Sequence, residues 1–552
     1  MPDNKPLVIG AAIGDCVHTG GLYAFLQICH DAGYDTVALG PAVSPAHLAD
    51  SIVKLRPALV AVSYRLTADV LARLLVELRG CLRKRNLDVP GLRFVFGGTP
   101  PCADVAVRSR FFSKVFNGTE SPEVIRTYLA GGPEGRGERT FADTLATRIA
   151  QSFPQPIIRH HYGQPSVADT VNGARRIAEA EILDVLSIGP DQNAQANFFR
   201  PGDMKSEWDG AGGVALRKPE DLRAIYAATR AGNFPLCRVY AGTRDLVKWA
   251  EMSVETIRNA WGAIPLCWYS VLDGRSDRTI PEAIAENQAT MRWYAGRGIP
   301  VECNESHQWS LRNAHDTIAV AMHFLAAYNA KKQGVRHYVS QFMFNTPPGT
   351  SGVMDLGKML AKQDLIRDLQ DDGFTIYREV RAGIAHMNAR PEMAKGQMAA
   401  SAVLSLQLRP HILHVVGSSE GDHVITDTEL IEGCGIARGV IQDTLDGFPN
   451  MLDDSFVHER RDELVRESRV LLAAIRDLGS KSADPWCDPV VLDRAIRSGL
   501  LDAPHFLGNP HLQGKIVTRC EGGAWRAVDH DDGVILSERE RVDRFRVNTE
   551  VA

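Results

Sequence analysis

Short apolar runs alternate with amphipathic helical stretches along nearly the whole of this 552-residue chain, and no other feature constrains its fold more. Strands separated by helices pair in parallel, with the helices covering the sheet. The pattern starts at once. Pro6-Leu7-Val8-Ile9-Gly10-Ala11-Ala12 is apolar throughout, as a strand buried on both faces must be, and leads into the loop Gly14-Asp15-Cys16-Val17-His18-Thr19-Gly20-Gly21. An amphipathic helix is expected over 22–29, and Ala32-Gly33 stops it before a second buried strand that ends at Gly40. Strand, loop and helix in this order open a doubly wound domain whose ligand sits at the carboxyl edge of the sheet. The loop offers an imidazole, His18, among glycines where a phosphate cradle would stand, and this points to a metal-centred cofactor.

Further landmarks lie in register with that loop. Val60-Ala61-Val62-Ser63-Tyr64-Arg65 ends the third strand, Phe94-Val95-Phe96-Gly97-Gly98 supplies a glycine pair, and Asn117-Gly118-Thr119-Glu120-Ser121-Pro122-Glu123 makes a closing turn. Together with His18-Thr19-Gly20-Gly21, these motifs resemble the cobalamin-binding subunit of glutamate mutase (methylaspartate mutase). The resemblance implies that His18 replaces the cofactor's own dimethylbenzimidazole as the lower cobalt ligand, the one metal position of this domain. It also implies that the nucleotide tail threads between the Ser63 and Gly97-Gly98 positions, where small residues leave room, with Gly21, Gly118 and Thr119 completing the cofactor set. The family's aspartate lies two residues before its histidine and orients the ring. Here Cys16 stands in that place and Asp15 one step further away, so both belong to the implied set as the layer behind the ligand.

A net charge of -5 is near neutral for this length and gives no electrostatic case for nucleic acid or an anionic membrane. Met1-Pro2-Asp3-Asn4-Lys5 goes directly into a strand, so no signal peptide is expected, and no run is long and apolar enough to span a bilayer. The 10 cysteines are scattered without a Cys-x-x-Cys pair, against zinc, an iron–sulfur cluster or a disulfide framework. A cytoplasmic protein with reduced thiols is the expectation. The glycine-rich, charged stretch 130–139 reads as a linker. The expected plan is a cofactor domain over 1–130, a linker over 131–153 with a short helix over 140–152, a catalytic domain over 154–450, and an extension over 451–552 packed on it.

Beyond the linker, strands are expected over 156–159, 184–188, 236–240, 265–270, 300–303, 336–339, 375–380 and 411–416, with helices such as 281–297, 314–333 and 427–444. Eight strand–helix repeats suggest a TIM (β/α)8 barrel with function at the carboxyl ends of its strands. The expected fold class is therefore α/β: an N-terminal flavodoxin-like (Rossmann-like) cobalamin-binding domain, then a TIM barrel with a C-terminal extension. The resemblance continues here with the large subunit of glutamate mutase. Ala241-Gly242-Thr243-Arg244-Asp245 matches the family's turn after strand three, and His414-Val415-Val416-Gly417-Ser418-Ser419-Glu420 occupies the last strand end, where the family holds the adenosyl ribose. Glu420 thereby joins both the cofactor set and the catalytic set. The stretch 494–504, with Asn509 and Gly514-Lys515, is similar to the large subunit's tail. The resemblance implies an adenosylcobalamin-dependent radical mutase, an isomerase of a small-molecule substrate, with two normally separate polypeptides fused and, by the family's habit, a homodimer.

The substrate pocket departs from the family, which grips a dicarboxylate with three arginines. By register those positions fall on His161, Gln195 and Tyr240, none a permanent cation, and the neighbouring Arg238 alone cannot replace a triple clamp. The expected substrate is thus not glutamate but a less charged molecule, or one with a single carboxylate beside a hydroxyl or amide. Its handling is assigned to His161, Gln195, Arg238, Tyr240, Tyr269 and Glu420. His160, Asp191, Asp273, Glu302, Asn304, Glu305, Gln341, Asn345 and Glu379 are further polar groups expected near the barrel mouth, some suited to acid–base work. His160 and His161 are adjacent on a strand, point to opposite faces and make no metal pair. Two rival readings stand beside the mutase: a corrinoid-dependent methyltransferase, and a non-catalytic cobalamin-binding sensor. An aminomutase would also need pyridoxal phosphate and a lysine to hold it, and no lysine of the first domain is marked for that role.

Overall fold

The computed structural model describes residues 5–87, 92–120, 122–129, 141–240 and 242–550. The expected linker over 130–139 lies outside the described residues, as do Ser121 and Ala241 of the two turn motifs. The chain separates into two compact units, Met1–Thr140 and Phe141–Ala552.

In the first unit, strands β1 (Leu7–Ile13), β2 (Asp35–Val43), β3 (Leu59–Tyr64), β4 (Arg93–Gly98) and β5 (Lys114–Phe116) form one parallel sheet in the order β2-β1-β3-β4-β5. The central strands β1 and β3 are buried almost end to end, which is why both read as unbroken apolar runs. Helix Ala68–Lys84 turns Leu71, Leu75, Leu78 and Leu82 inward at helical spacing. Helix Pro45–Leu55 starts where Ser44 accepts the His47 N–H, with proline in its first turn. The strand order reverses between β1 and β3, and an open parallel sheet forms its binding crevice at the carboxyl ends of the strands where that happens.

In the second unit, β6 (Ile157–Tyr162), β7 (Val185–Ile188), β8 (Leu236–Val239), β9 (Gly262–Ile264), β10 (Val301–Cys303), β11 (His337–Phe344), β12 (Thr375–Ala382) and β13 (Ile412–His414) pair in parallel in the order β8-β7-β6-β13-β12-β11-β10-β9. The two ends of that sheet meet: the Ala260 N–H donates to Cys237 O at 2.9 Å and the Val239 N–H to Asn259 Oδ1 at 3.3 Å. The result is a nearly closed eight-stranded barrel of the TIM kind, with helices such as Ile280–Ala295, Asp316–Lys332 and Asp427–Gly447 between or after the strands. Thr279 with Glu282, and Thr426 with Glu429, cap two of these helices reciprocally.

One expected strand is displaced. The run 265–270 is not in the sheet; the fourth barrel strand is β9, just before it. Pro265 has no N–H to give a ladder. The N–H groups of Leu266 and Cys267 instead donate to Glu305 Oε2, at 2.8 and 3.0 Å, so the run is buried but held by a side chain.

After the barrel, helices Ser455–Leu478 and Pro489–Arg497, the hairpin β14 (Val517–Glu521) and β15 (Ala524–Val528), and helix Glu538–Glu550 complete the unit. Arg460 reaches back to Asp316 at 2.7 Å, and Asn329 and Gln288 donate to the carbonyls of Trp486 and Cys487. This cover explains why helix Asp316–Lys332 is buried on nearly every face. Among the described residues no helix is long and apolar enough to cross a membrane.

Candidate functional site

A cavity of about 420 Å³ opens at the carboxyl edge of the first sheet. It collects His18 and Gly21 from the loop after β1, Ser63 from β3, Gly97 and Gly98 from β4, and Gly118 from the turn after β5. These are residues from four separate loops and strand ends, brought to the crevice at the reversal of strand order. The wall is kept low where a bulky guest would need it. A Cβ on Gly97 would meet nothing within 4 Å, whereas one on Gly98 would lie 2.3 Å from Tyr64 O, so glycine is required there for the backbones to approach. His18 is exposed at the rim, flanked by Val17 and Tyr23, which expose 63% and 50% of their surface. An exposed imidazole at the rim of a cleft that Ser63, Gly97, Gly98 and Gly118 keep open between Leu22, Phe25, Phe96 and Phe116 fits a metal macrocycle with an appended tail.

Three expected members of that set are elsewhere. Asp15 makes no hydrogen bond or ion pair with His18 among the described residues; its Oδ1 accepts the Tyr64 hydroxyl of β3 at 3.0 Å. Cys16 is wholly buried in the core of the unit. Thr119 donates through both its N–H and its hydroxyl to Asn117 Oδ1, which closes the turn, and it does not line the cavity.

The barrel unit has its own cavity, about 800 Å³, at the carboxyl ends of its strands. Gln195, Tyr240 and Tyr269 line it as expected, with Asn304, His307, Gln341, Arg275 and Arg381. The Tyr240 hydroxyl lies 2.6 Å from His161 Nε2, and the two rings stack with centroids 4.6 Å apart. Burial lowers the His161 imidazole well below its usual range, with His414 and Arg159 adding to the effect. Burial likewise raises the Tyr240 phenol. A neutral imidazole thus faces a protonated phenol, an arrangement able to hold or pass a proton at the Tyr240 oxygen.

Beneath the mouth, four alternate strands each contribute one charged side chain: Arg159 from β6, Arg238 from β8, Glu302 from β10 and Glu379 from β12. All four are buried. Arg159 Nη1 donates to both Glu379 oxygens, at 2.5 and 2.6 Å, and lies 3.3 Å from Glu302 Oε2. Arg238 Nη1 is 3.2 Å from the same Glu302 oxygen. Gln341 bridges the carboxylates, its Nε2 donating to Glu302 at 2.8 Å and to Glu379 at 2.9 Å, and Trp261 Nε1 donates to Glu302 at 2.6 Å. Layers of four from alternate strands fill TIM barrels, ordinarily with aliphatic side chains; here one layer is ionic and balanced. Burial, and then the nearby Glu379, push the Glu302 carboxyl up.

This layer corrects several sequence expectations. Arg238 is a component of the barrel interior and does not line the cavity. Glu302 and Glu379 are engaged in the layer rather than free at the mouth. Asp191 caps helix Gln192–Asn197 and accepts from Gly210 and Arg217, Asp273 accepts from the N–H groups of Tyr269 and Ser270, and Glu305 holds the run after β9. Asn345 accepts from Ser401. Glu420 accepts the Gly417 N–H at 2.7 Å and approaches His160 Nε2 at 3.4 Å; neither it nor His160 lines the barrel cavity. Four charged or titratable residues of the lining were not expected from the sequence: Arg159, Arg275, His307 and Arg381. Of the three arginines, Arg381 is the one without a charge partner among the described residues. It stands two residues beyond Glu379 on β12, hence on the same face and nearer the mouth.

No family model matches this chain, and no curated protein matches it. Similar solved structures are distant. A novel cobalamin-binding protein from Desulfitobacterium hafniense DCB-2 is 18% identical over 23% of this chain and 58% of its own, with a TM-score of 0.20. Dihydrodipicolinate synthase from Agrobacterium tumefaciens str. C58 is 11% identical over 72% and 98%, with a TM-score of 0.29. The cobalamin-dependent S-adenosylmethionine radical enzyme OxsB is 9% identical over 80% and 56%, with a TM-score of 0.18. The match thus spans little more than half of either cobalamin protein, and likenesses this weak assign no activity.

Proposed function

We propose that the chain is a corrinoid-dependent enzyme whose first unit, a flavodoxin-like domain, binds cobalamin through His18 and whose barrel rearranges a small-molecule substrate. The observation that carries this reading is the single cavity that joins His18, Ser63, Gly97, Gly98 and Gly118 at the strand-order reversal of a parallel sheet. Adenosylcobalamin, when bound, would supply a weak cobalt–carbon bond and with it radical chemistry. The chain's part is to offer the His18 imidazole, to leave room for the tail beside Gly97 and Ser63, and to enclose the substrate at the barrel mouth, where Tyr240 and His161 hold a proton at the phenol oxygen.

The test is the visible spectrum of the full chain titrated with adenosylcobalamin, beside a His18→Ala variant. The expected result is a spectrum of cobalamin with its own base displaced, altered or lost in the variant. Absence of corrinoid binding to the wild type sinks the reading. Tight binding of methylcobalamin with demethylation, and no radical signal on any substrate, would favour methyl transfer instead.

A second variant probes the tail channel. Gly97→Trp starts a side chain where a Cβ meets nothing within 4 Å, on the lining of the cavity, so its bulk should reduce corrinoid affinity by about a hundredfold, about 2.7 kcal/mol. Its thermal unfolding should stay close to that of the wild type. Unchanged affinity in a titration of that variant would mean the tail lies elsewhere.

A further inference from the structure

The barrel cavity is lined by three arginines and by no aspartate or glutamate. Two of the arginines have their charge answered. Arg159 is met by Glu302 and Glu379, and the exposed Arg275 lies over the Tyr269 ring with Asp273 3.8 Å away. Arg381 is different. Among the described residues it forms no ion pair, and its one hydrogen bond runs from Nε to Ala382 O at 3.4 Å, so both terminal nitrogens of its fork lack a protein acceptor. Its field reaches the surrounding groups: after burial, Arg381 is the next cause holding the His307 imidazole down at about 3.

Two oxygens in the same cavity lack donors. Asn304 Oδ1 and Gln341 Oε1 are buried without a partner. The Gln341 amide is fixed in that sense, because its nitrogen already donates to two carboxylates. Buried carbonyl oxygens left unpaired are costly, and a donor on the ligand, a hydroxyl or an amine, would satisfy at least one of them. A bidentate fork calls for a carboxylate. An ammonium would find no carboxylate on the lining to balance it beside Arg381, whereas a hydroxyl needs none.

We propose that the barrel mouth recognises a hydroxycarboxylate head group, the carboxylate on Arg381 and the hydroxyl donating its single hydrogen to Gln341 Oε1 or Asn304 Oδ1. The proposal rests on the reading of the barrel cavity as the substrate site, and it replaces an array of arginines by one arginine with two amide acceptors. Leu311, Met343 and Ile384 on the same lining leave apolar surface for the rest of the molecule.

The experiment is calorimetric titration of the full chain with β-hydroxybutyrate and β-hydroxyoctanoate, and with the matching amino acid, unsubstituted acid and hydroxyamide of each. A hydroxy acid should bind about tenfold or more tighter than each of its three analogues, the difference of one charge-assisted or buried hydrogen bond. Arg381→Met should erase the preference for acid over amide, and Arg381→Lys, which keeps the charge and loses the fork, should retain a weakened one. Tighter binding of the amino acid, survival of the acid preference in Arg381→Met, or no saturable binding of either hydroxy acid would overturn the proposal. The titration contains no corrinoid, so its failure and a failure of corrinoid binding are separate results.

Discussion

Replacing Arg159 with methionine is expected to weaken the barrel unit by about 3–5 kcal/mol, the usual cost of removing one partner from a buried ion pair. Methionine roughly keeps the aliphatic reach of arginine, so the loss is mainly of charge. Glu379 would keep only Gln341 as a hydrogen-bond donor, and Glu302 would depend on Arg238, Trp261 and Gln341. Two carboxylates joined by a single amide in a dry interior cannot both remain ionised cheaply. Denaturant unfolding of the full chain, followed by tryptophan fluorescence, measures the effect. Adding Glu379→Gln to the methionine variant should return at least about 1 kcal/mol, since the amide needs no counter-charge. A single variant that unfolds at the wild-type midpoint would show that the ionic layer contributes nothing to holding the barrel.

Acid lability is the second large effect. His307, His323 and His414 are buried in the barrel unit, and burial is the main cause that lowers each imidazole below 6.5. Arg381 adds to it at His307, Lys362 at His323 and Arg159 at His414. The folded chain therefore binds fewer protons than the unfolded chain below pH 6.5. Stability from these groups is fully present above that pH and declines as pH falls through it, by about 1.4 kcal/mol per pH unit for each histidine. Buried carboxyls whose pKa is raised, Glu302, Glu305 and Asp355, act in the opposite sense and offset part of the slope. A difference measurement isolates one histidine. His323, whose Nε2 is 2.8 Å from Ser340 Oγ, is distant in role from both cavities. His323→Leu should be less stable than wild type at pH 8, with a gap that closes by about 1.4 kcal/mol per pH unit below 6.5. A gap independent of pH would mean that His323 is not held neutral.

Much of the barrel was legible because parallel strands buried on both faces leave short, mostly apolar runs between the helices, as at Val185–Ile188 and Ile412–His414. The fourth strand was misplaced by that same criterion. Leu266, Cys267 and Trp268 are as apolar as a strand, but the backbone of Leu266 and Cys267 is held by Glu305, 39 and 38 residues away, a contact no local window contains. Arg381 was missed for the converse reason. An apolar-run search ends β12 at Val380, yet a strand that lines a cavity turns polar side chains inward, and Glu379 and Arg381 alternate with Val380 as such a strand requires. The glycine and serine positions of the first unit came from the family resemblance, and the structure gathers Ser63, Gly97, Gly98 and Gly118 on one cavity. The direction of the Asp15 side chain could not be read ahead, since it depends on the Tyr64 hydroxyl across the sheet.

The ionic layer divides its charges between the two halves of the barrel. Its two cations lie on β6 and β8, in the first half of the barrel, and its two anions on β10 and β12, in the second. Each half by itself therefore brings two like charges to the layer, and their counter-charges come from the other half. The two halves are the poles of one clasp: the strands through β9 bring the cations and the strands after it the anions, so the layer is neutralised only where the halves meet.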